Sequence, residues 1–175
     1  MTDSAPLPTE TAPKRLTRRE LVGKLRGVLE HADPGTLAAL RRADPTSPPP
    51  AFYRLAVAVL DEHLAYLGDS GRRRDEMESR WTIVVSAMAN AQGFLAAVPL
   101  GEALAKAGVA EMRFLRLLEA STAQLPELVR NVVHQLVQKG QPFDPNDLAD
   151  LVLAGDDDRC PRRKIARSFY RHADT

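Results

Sequence analysis

Leu100-Gly101-Glu102-Ala103-Leu104-Ala105-Lys106-Ala107-Gly108, followed two residues later by Glu111-Met112-Arg113-Phe114-Leu115-Arg116-Leu117-Leu118, is the stretch whose reading decides the fold. The first segment reads as a short helix, with Gly101 and Gly108 as punctuation. Glycine tolerates the left-handed turn that ends a helix. The second segment predicts another helix at once. At 100° per residue Phe114, Leu115 and Leu118 share one face, and Arg113 and Arg116 point the opposite way. The middle of the chain is thus an apolar wedge with two guanidinium groups on its back.

Outward from this wedge the same helical period recurs. Upstream, Met77, Trp81, Val84, Met88, Ala91 and Leu95 are spaced by three and four, a core seam on a helix over about 75–95. Residues 96–99 break the pattern. A lobe boundary placed there divides the chain into a tail (1–13), an N-terminal helical lobe (14–97) and a C-terminal helical lobe (98–172). Downstream, a helix over about 123–139 carries Leu125, Leu128, Val129, Val132, Val133, Leu136 and Val137, and Gly140 with Pro142 stops it. Asp144-Pro145 opens the next helix and Pro161 the last, with Ile165, Ala166 and Phe169 inward.

In the first half, Thr17-Arg18-Arg19-Glu20 fits a capping box at the head of the first helix. Asp33-Pro34 starts a second, with Asp33 as cap and Pro34 in the first turn. The prolines at 48–50 make a stiff connector. A third helix is expected from Pro50 to Leu67, and the stretch from Gly68 through Arg72-Arg73-Arg74 reads as a solvated polar loop. Strand-like alternation is absent. The sum is an all-α protein of about nine helices in two small lobes, with no fixed-period repeat.

The composition narrows the function. The chain has 175 residues, a net charge of +1, 44% hydrophobic residues and one cysteine, Cys160. One cysteine makes no internal disulfide, which fits a reducing cytoplasm. No apolar run approaches the ~20 residues of a membrane span. The segment 1–13 is rich in proline and threonine, lacks the basic-then-apolar plan of a signal peptide, and reads as a disordered tail.

A search for catalysis finds no constellation. His31, His63, His134 and His172 lie on four separate helices, without the paired spacing of a zinc site. His63 reads as a boundary or core histidine. Cys160 stands among arginines, but no histidine lies at a motif-defining distance. Asp156-Asp157-Asp158 lacks the glycine and distal glutamate of a calcium loop. No glycine-rich loop cradles a phosphate. No metal and no cofactor is expected.

What remains is arginine. Only five of the 24 basic residues are lysine. Arginine is favoured where forked contacts to phosphate matter; a GC-rich coding sequence would raise the count as well, but explains the placement less well. On the last helix Arg163, Lys164, Arg167 and Arg171 fall within about 100° of one another, opposite Ile165 and Phe169. Arg113 with Arg116, and Arg41 with Arg42 at a helix end, make two further basic faces. A solvated helix face usually mixes signs, and the last helix does not. The residues alone leave open nucleic-acid contact and a protein-interaction module.

Four stretches, in order and spacing, resemble one family. They are Leu40-Arg41-Arg42-Ala43-Asp44-Pro45, Pro50-Ala51-Phe52-Tyr53-Arg54-Leu55, Leu100-Gly101-Glu102-Ala103-Leu104-Ala105 leading into Arg113-Phe114-Leu115-Arg116-Leu117-Leu118, and Ile165-Ala166-Arg167-Ser168-Phe169-Tyr170. With Trp81 among them, they are similar to CasB, the small subunit of the type I-E CRISPR surveillance complex Cascade. The resemblance runs from Leu16 to Tyr170. It implies a non-catalytic, cytoplasmic subunit in antiviral defence that supports the guide RNA–target duplex and holds the displaced DNA strand on basic surfaces. Its implied partners are other Cascade subunits, a second copy of itself packed head to tail, guide RNA and single-stranded DNA. The resemblance carries a strand-binding role to Arg41, Arg42 and Arg54, and to Arg113, Arg116 and Arg130; the last helix adds Arg163, Lys164, Arg167 and Arg171. The reading from another class is a helical adaptor whose arginines pair acidic protein surfaces.

Overall fold

A computed structural model of the chain describes residues 16–68, 71–154 and 158–173. The tail at 1–13, and Asp156 and Asp157 of the aspartate run, lie outside them. The described residues form ten α-helices: α1 (Arg18–Glu30), α2 (Pro34–Arg41), α3 (Pro50–Val59), α4 (Asp61–Leu64), α5 (Arg72–Asn90), α6 (Leu100–Lys106), α7 (Glu111–Leu118), α8 (Leu125–Gln138), α9 (Pro145–Leu153) and α10 (Cys160–Ala173). One 3-10 turn, Ala65–Leu67, follows α4. The fold is all-α.

Local chemistry sets the helix starts. Glu20 N–H donates to Thr17 Oγ1 at 3.3 Å and Thr17 N–H to Glu20 Oε2 at 2.6 Å, which completes the capping box of α1. Thr36 N–H donates to Asp33 Oδ1 at 3.0 Å at the head of α2. Hydrogen bonds from Thr36 hold the Asp33 carboxyl below the usual range. Asp144 caps α9 in the same way, accepting from Asn146 N–H at 2.8 Å.

α5 is the hub. Trp81 through Ala89 is buried without interruption, the mark of a helix covered on every side. α1, α2, α8 and α9 all pack on it. A single apolar cluster runs through both halves of the chain. α9, from the second half, packs on α1 and α5 of the first, so the core is continuous across residues 96–99.

The structure corrects several local expectations. The expected helix from Pro50 to Leu67 is broken at Leu60 into α3, α4 and the 3-10 turn, which raises the helix count from nine to ten. That break brings Asp61 to the Arg74 guanidinium. The hub helix runs from Arg72 to Asn90, not from 75 to 95. Gly93, at φ 84°, turns the chain out of the helix, and Leu95 reaches the core by bridging in parallel to Phe143.

Arg72-Arg73-Arg74 is the first turn of α5 and not a solvated loop. Arg74 is 8% exposed. It is paired with Asp61 and, at 2.5 Å, with Glu78. Burial disfavours its charge, and the bonds to Glu78 and Asp61 outweigh that, raising its pKa. Lastly, the deep side chains of α7 are Phe114 and Leu117, with Leu115 and Leu118 only partly covered. α8 packs on α7 and draws the buried face toward Leu117.

The wedge that opens the second half is locked by its neighbours. Phe94, Ala96 and Val98 exchange backbone hydrogen bonds with Phe143 and Asp144, which sets α6 beside α9. There the buried Asp147 carboxylate accepts from Leu100 N–H at 3.0 Å through one oxygen. Through the other it takes the Lys164 ammonium at 2.6 Å. One acidic group thus satisfies a free amide of α6 and ties α9 to α10.

The α6–α10 contact itself is backbone to backbone. A Cβ added at Gly101 would overlap the Ile165 carbonyl oxygen and stand 2.6 Å from Phe169 N. Gly101 is therefore the contact surface of the helix rather than punctuation. Phe114 stacks on Phe169 with ring centroids 3.8 Å apart and planes 9° from parallel, fastening α7 to the same helix. Among the described residues no helix is long and apolar enough to cross a membrane.

Candidate nucleic-acid interface

The basic faces expected from the sequence fall on separate outer surfaces. On α10, Ile165 and Phe169 are buried while Arg163, Arg167 and Arg171 are exposed. Arg159, just ahead of the helix and also exposed, extends the series. These four arginines recur at every fourth residue, so inside the helix successive side chains stand about 6 Å apart along one stripe. None of the four has an ion pair with a described residue. Lys164 is different. Its ammonium is engaged by Asp147, and that bond raises its pKa against the opposing effect of partial burial.

Arg113 and Arg116 are exposed on the back of α7, as the periodicity required. The side toward α10 is occupied by Glu111, which accepts from Tyr170 Oη–H at 2.8 Å and so raises the tyrosine pKa. Arg54 is exposed on α3 next to a half-exposed Tyr53.

Arg41 and Arg42 end α2. Arg41 is pinned: its Nε donates to Ala89 O at 3.0 Å and its Nη2 to Gln92 Oε1 at 3.3 Å. Its own carbonyl accepts from Ser86 Oγ–H at 3.1 Å and Asn90 Nδ2–H at 3.0 Å. The end of α2 is thus closed by α5, with Arg41 held against the hub and Arg42 left exposed.

One pair of expected site residues lines the same cleft despite wide separation in sequence. Arg41 and Arg130 line the mouth of a cleft of about 350 Å3 between α5 and α8. Ile83 and Ala87 of α5 and Val129 and Val133 of α8, all buried, make its floor, with Asn90, Asn131 and His134 adding polar groups. The resemblance pointed to Arg130, and the structure leaves it and His134 exposed on α8. Periodicity did not bring Asn90 and Asn131 into view, because amides on helices carry no motif.

The structure also separates arginines that brace from arginines that are free to bind. Arg80 reaches Thr122 Oγ1 at 3.3 Å, and Arg162 donates to Ala120 O at 3.1 Å at the end of α7. Arg18 pairs with Asp150, joining α1 to α9. Among the described residues no group of three or more His, Cys, Asp or Glu side chains gathers as a metal ion would require. Cys160 is free and exposed.

Fold and site together define an all-helical protein, built on one buried hub helix, with several basic outer faces. The chain belongs to the family of the CRISPR-associated protein Cse2, also called CasB, whose model matches residues 36–170. Two solved structures share the fold. One is a chain in the crystal structure of Escherichia coli Cascade bound to a PAM-containing double-stranded DNA target. It has a TM-score of 0.64 and 24% identity, covering 87% of this chain and 95% of that one. The other is the crystal structure of M. ruber CasB, with a TM-score of 0.63 and 22% identity, covering 88% of this chain and 94% of that one. No curated protein matches.

Proposed function

We propose that this chain is the non-catalytic small subunit of a Cascade complex in the cytoplasm. In this reading it supports the guide RNA–target duplex and holds the displaced DNA strand, packed head to tail with a second copy. Membership of the Cse2 family and the likeness to a chain of the DNA-bound E. coli complex support this reading.

The observation that carries it is the arginine stripe Arg159–Arg163–Arg167–Arg171. Like charges four residues apart on a helix repel, by about 0.2–0.5 kcal/mol per pair. A stripe without acids is an unfavourable arrangement for an isolated helix and a favourable one beside a polyanion. Arg113 and Arg116, Arg41 and Arg42, Arg54 and Arg130 extend the strand-binding assignment. Lys164 serves the fold through Asp147, so its share in binding is the smallest of the group.

Co-purification with a guide RNA and the other Cascade subunits tests the assembly. Strand contact is tested by titrating single-stranded DNA at several salt concentrations. Each phosphate neutralised adds about 0.7 to the log–log slope. Replacing Arg163, Arg167 and Arg171 together with glutamine removes about two units of slope while helix content stays unchanged. If assembly is lost and DNA binding is untouched, the chain is a protein adaptor and this proposal fails.

A further inference from the structure

We propose that the cleft between α5 and α8 receives one unstacked nucleobase of a bound single strand, with the adjoining phosphate at Arg41 and Arg130. This rests on the strand-binding reading above and adds to it a site with a shape.

The cleft measures about 350 Å3, within the range of small-ligand sites. Its floor is aliphatic: Ile83 and Ala87 of α5 and Val129 and Val133 of α8, with Pro45 and Pro126 also lining it. Its mouth is cationic. A phosphate needs only a surface arginine and has no use for an apolar floor. An aliphatic ligand has no use for two guanidinium groups. A nucleotide has a flat ring with apolar faces, a polar edge and an anion one sugar away, and so matches floor, edge and mouth together.

The polar edge has a defined sense. Asn90 already donates both amide protons, to Arg41 O at 3.0 Å and to Ser86 O at 2.9 Å. The atom it has left for a ligand is its carbonyl oxygen, an acceptor for a base amine or ring N–H. Asn131 is exposed and makes no hydrogen bond to a described residue, so its amide supplies either role.

The charges at the mouth are partly committed. Arg41 is tied to Ala89 O and Gln92 Oε1. Arg130 lies close enough to Asp44 to add to the lowering of its pKa, a lowering due first to hydrogen bonds from Thr46. The mouth therefore attracts a phosphate less strongly than the α10 stripe does, and the apolar floor with its polar edge is what sets this cleft apart. Aromatic stacking platforms hold bases on aromatic faces. Here an aliphatic floor takes one face of a single base, and a continuous stack of bases does not fit.

The test uses the full chain and two single-stranded oligonucleotides of equal length, one with every base and one with abasic residues. Their phosphates are equal in number, so the stripe treats them alike. The abasic strand is expected to bind about tenfold more weakly, the size of one lost base contact, with the same salt slope. A strand carrying one 2-aminopurine, whose emission rises when the base leaves its stack, is expected to brighten on binding.

Asn131→Leu, at an exposed position, and Ala87→Leu, which fills the cleft, should each abolish both effects and leave the salt slope unchanged. Thermal melts confirm that each variant is folded, and Asn131→Leu decides the matter should Ala87→Leu unfold. Equal binding of the two strands overturns the cleft and leaves the strand-binding reading standing. So does a base-dependent difference that survives Asn131→Leu, because the base then sits elsewhere. Failure of both strands to bind overturns the strand-binding reading, and the cleft with it.

Discussion

At the α6–α10 joint two helices meet backbone to backbone; at the α5–α8 contact side chains fill the space between the helices and a cleft of about 350 Å3 lies over them. The residue at the contact sets the difference. Gly101 has no side chain to hold α10 away, whereas Val129 and Val133 stand between α8 and the hub. The charges differ in the same sense. At the joint, the Asp147 carboxylate and the Lys164 ammonium face each other and α6 draws on the same carboxylate. At the cleft, the guanidinium groups stand at the mouth. A joint that satisfies its own polar groups stabilises the fold. A cleft with polar groups to spare remains available to a ligand.

The strongest way to break this contrast is Gly101→Val. Overpacking typically costs 1–3 kcal/mol, and the upper end or beyond, about 3 kcal/mol or more, is expected here because the obstacle is the Ile165 carbonyl, which cannot rotate away. A melting temperature close to wild type would show that α6 and α10 can separate freely and that the joint is not closed.

Asp147→Ala comes next, at about 2–4 kcal/mol, since it strips a partner from both Leu100 N–H and Lys164. Paired with Lys164→Met in a double-mutant cycle, the two losses should fall short of additive. Additive losses in urea unfolding would mean that the carboxylate and the ammonium act separately.

The Arg41→Glu, Arg42→Glu double variant probes the cleft side. Losing the two Arg41 hydrogen bonds costs about 1 kcal/mol, and reversing charge at the end of α2 costs about 0.3–1 kcal/mol more. Gel-shift titration should show strand binding falling by more than two lost phosphate contacts, while co-purification with Cascade subunits survives. Wild-type binding by this variant would remove Arg41 and Arg42 from the interface.

The smallest effect is a pH dependence at the joint. The Lys164 pKa is raised above its ordinary 10.5, chiefly by the bond to Asp147. Its contribution is complete below that ordinary value and is lost as pH rises through the raised one. Urea midpoints carried into this alkaline range should fall more for wild type than for Lys164→Met. Parallel curves would mean that the pair adds nothing to stability.

Much of this architecture could be read from side-chain period alone. Trp81, Val84 and Met88 are buried where the seam placed them, because helices pack by a repeat that apolar residues display directly. The Thr17 and Asp33 caps were equally visible, since capping is local in sequence. The sequence reading failed where a distant partner decides. Arg74 looks like its two neighbours until Asp61 is brought to it by the break at Leu60. Glu78, four residues on, was the available clue, since a carboxylate at that spacing marks an arginine as internally paired. Gly101 was misread for a related reason. A glycine inside a helix costs about 1 kcal/mol relative to alanine, and the α10 backbone that makes it necessary, at Ile165 and Phe169, is far along the chain. Of the site, the exposed arginines of α7 and α10 follow from amphipathic geometry. The place of Arg41 and Arg130 on one cleft, and the engagement of Lys164 by Asp147, are tertiary facts without a local signature.

The stripe Arg159–Arg163–Arg167–Arg171 lies on the helix whose other face closes against Gly101. Whatever neutralises the stripe removes repulsion from that helix, and so stabilises the joint by mass action. Thermal stability then becomes a binding readout. A polyanion should raise the melting temperature of the free chain, added salt should reproduce part of that rise by screening the arginines from one another, and both shifts should vanish together when the stripe is replaced by glutamine.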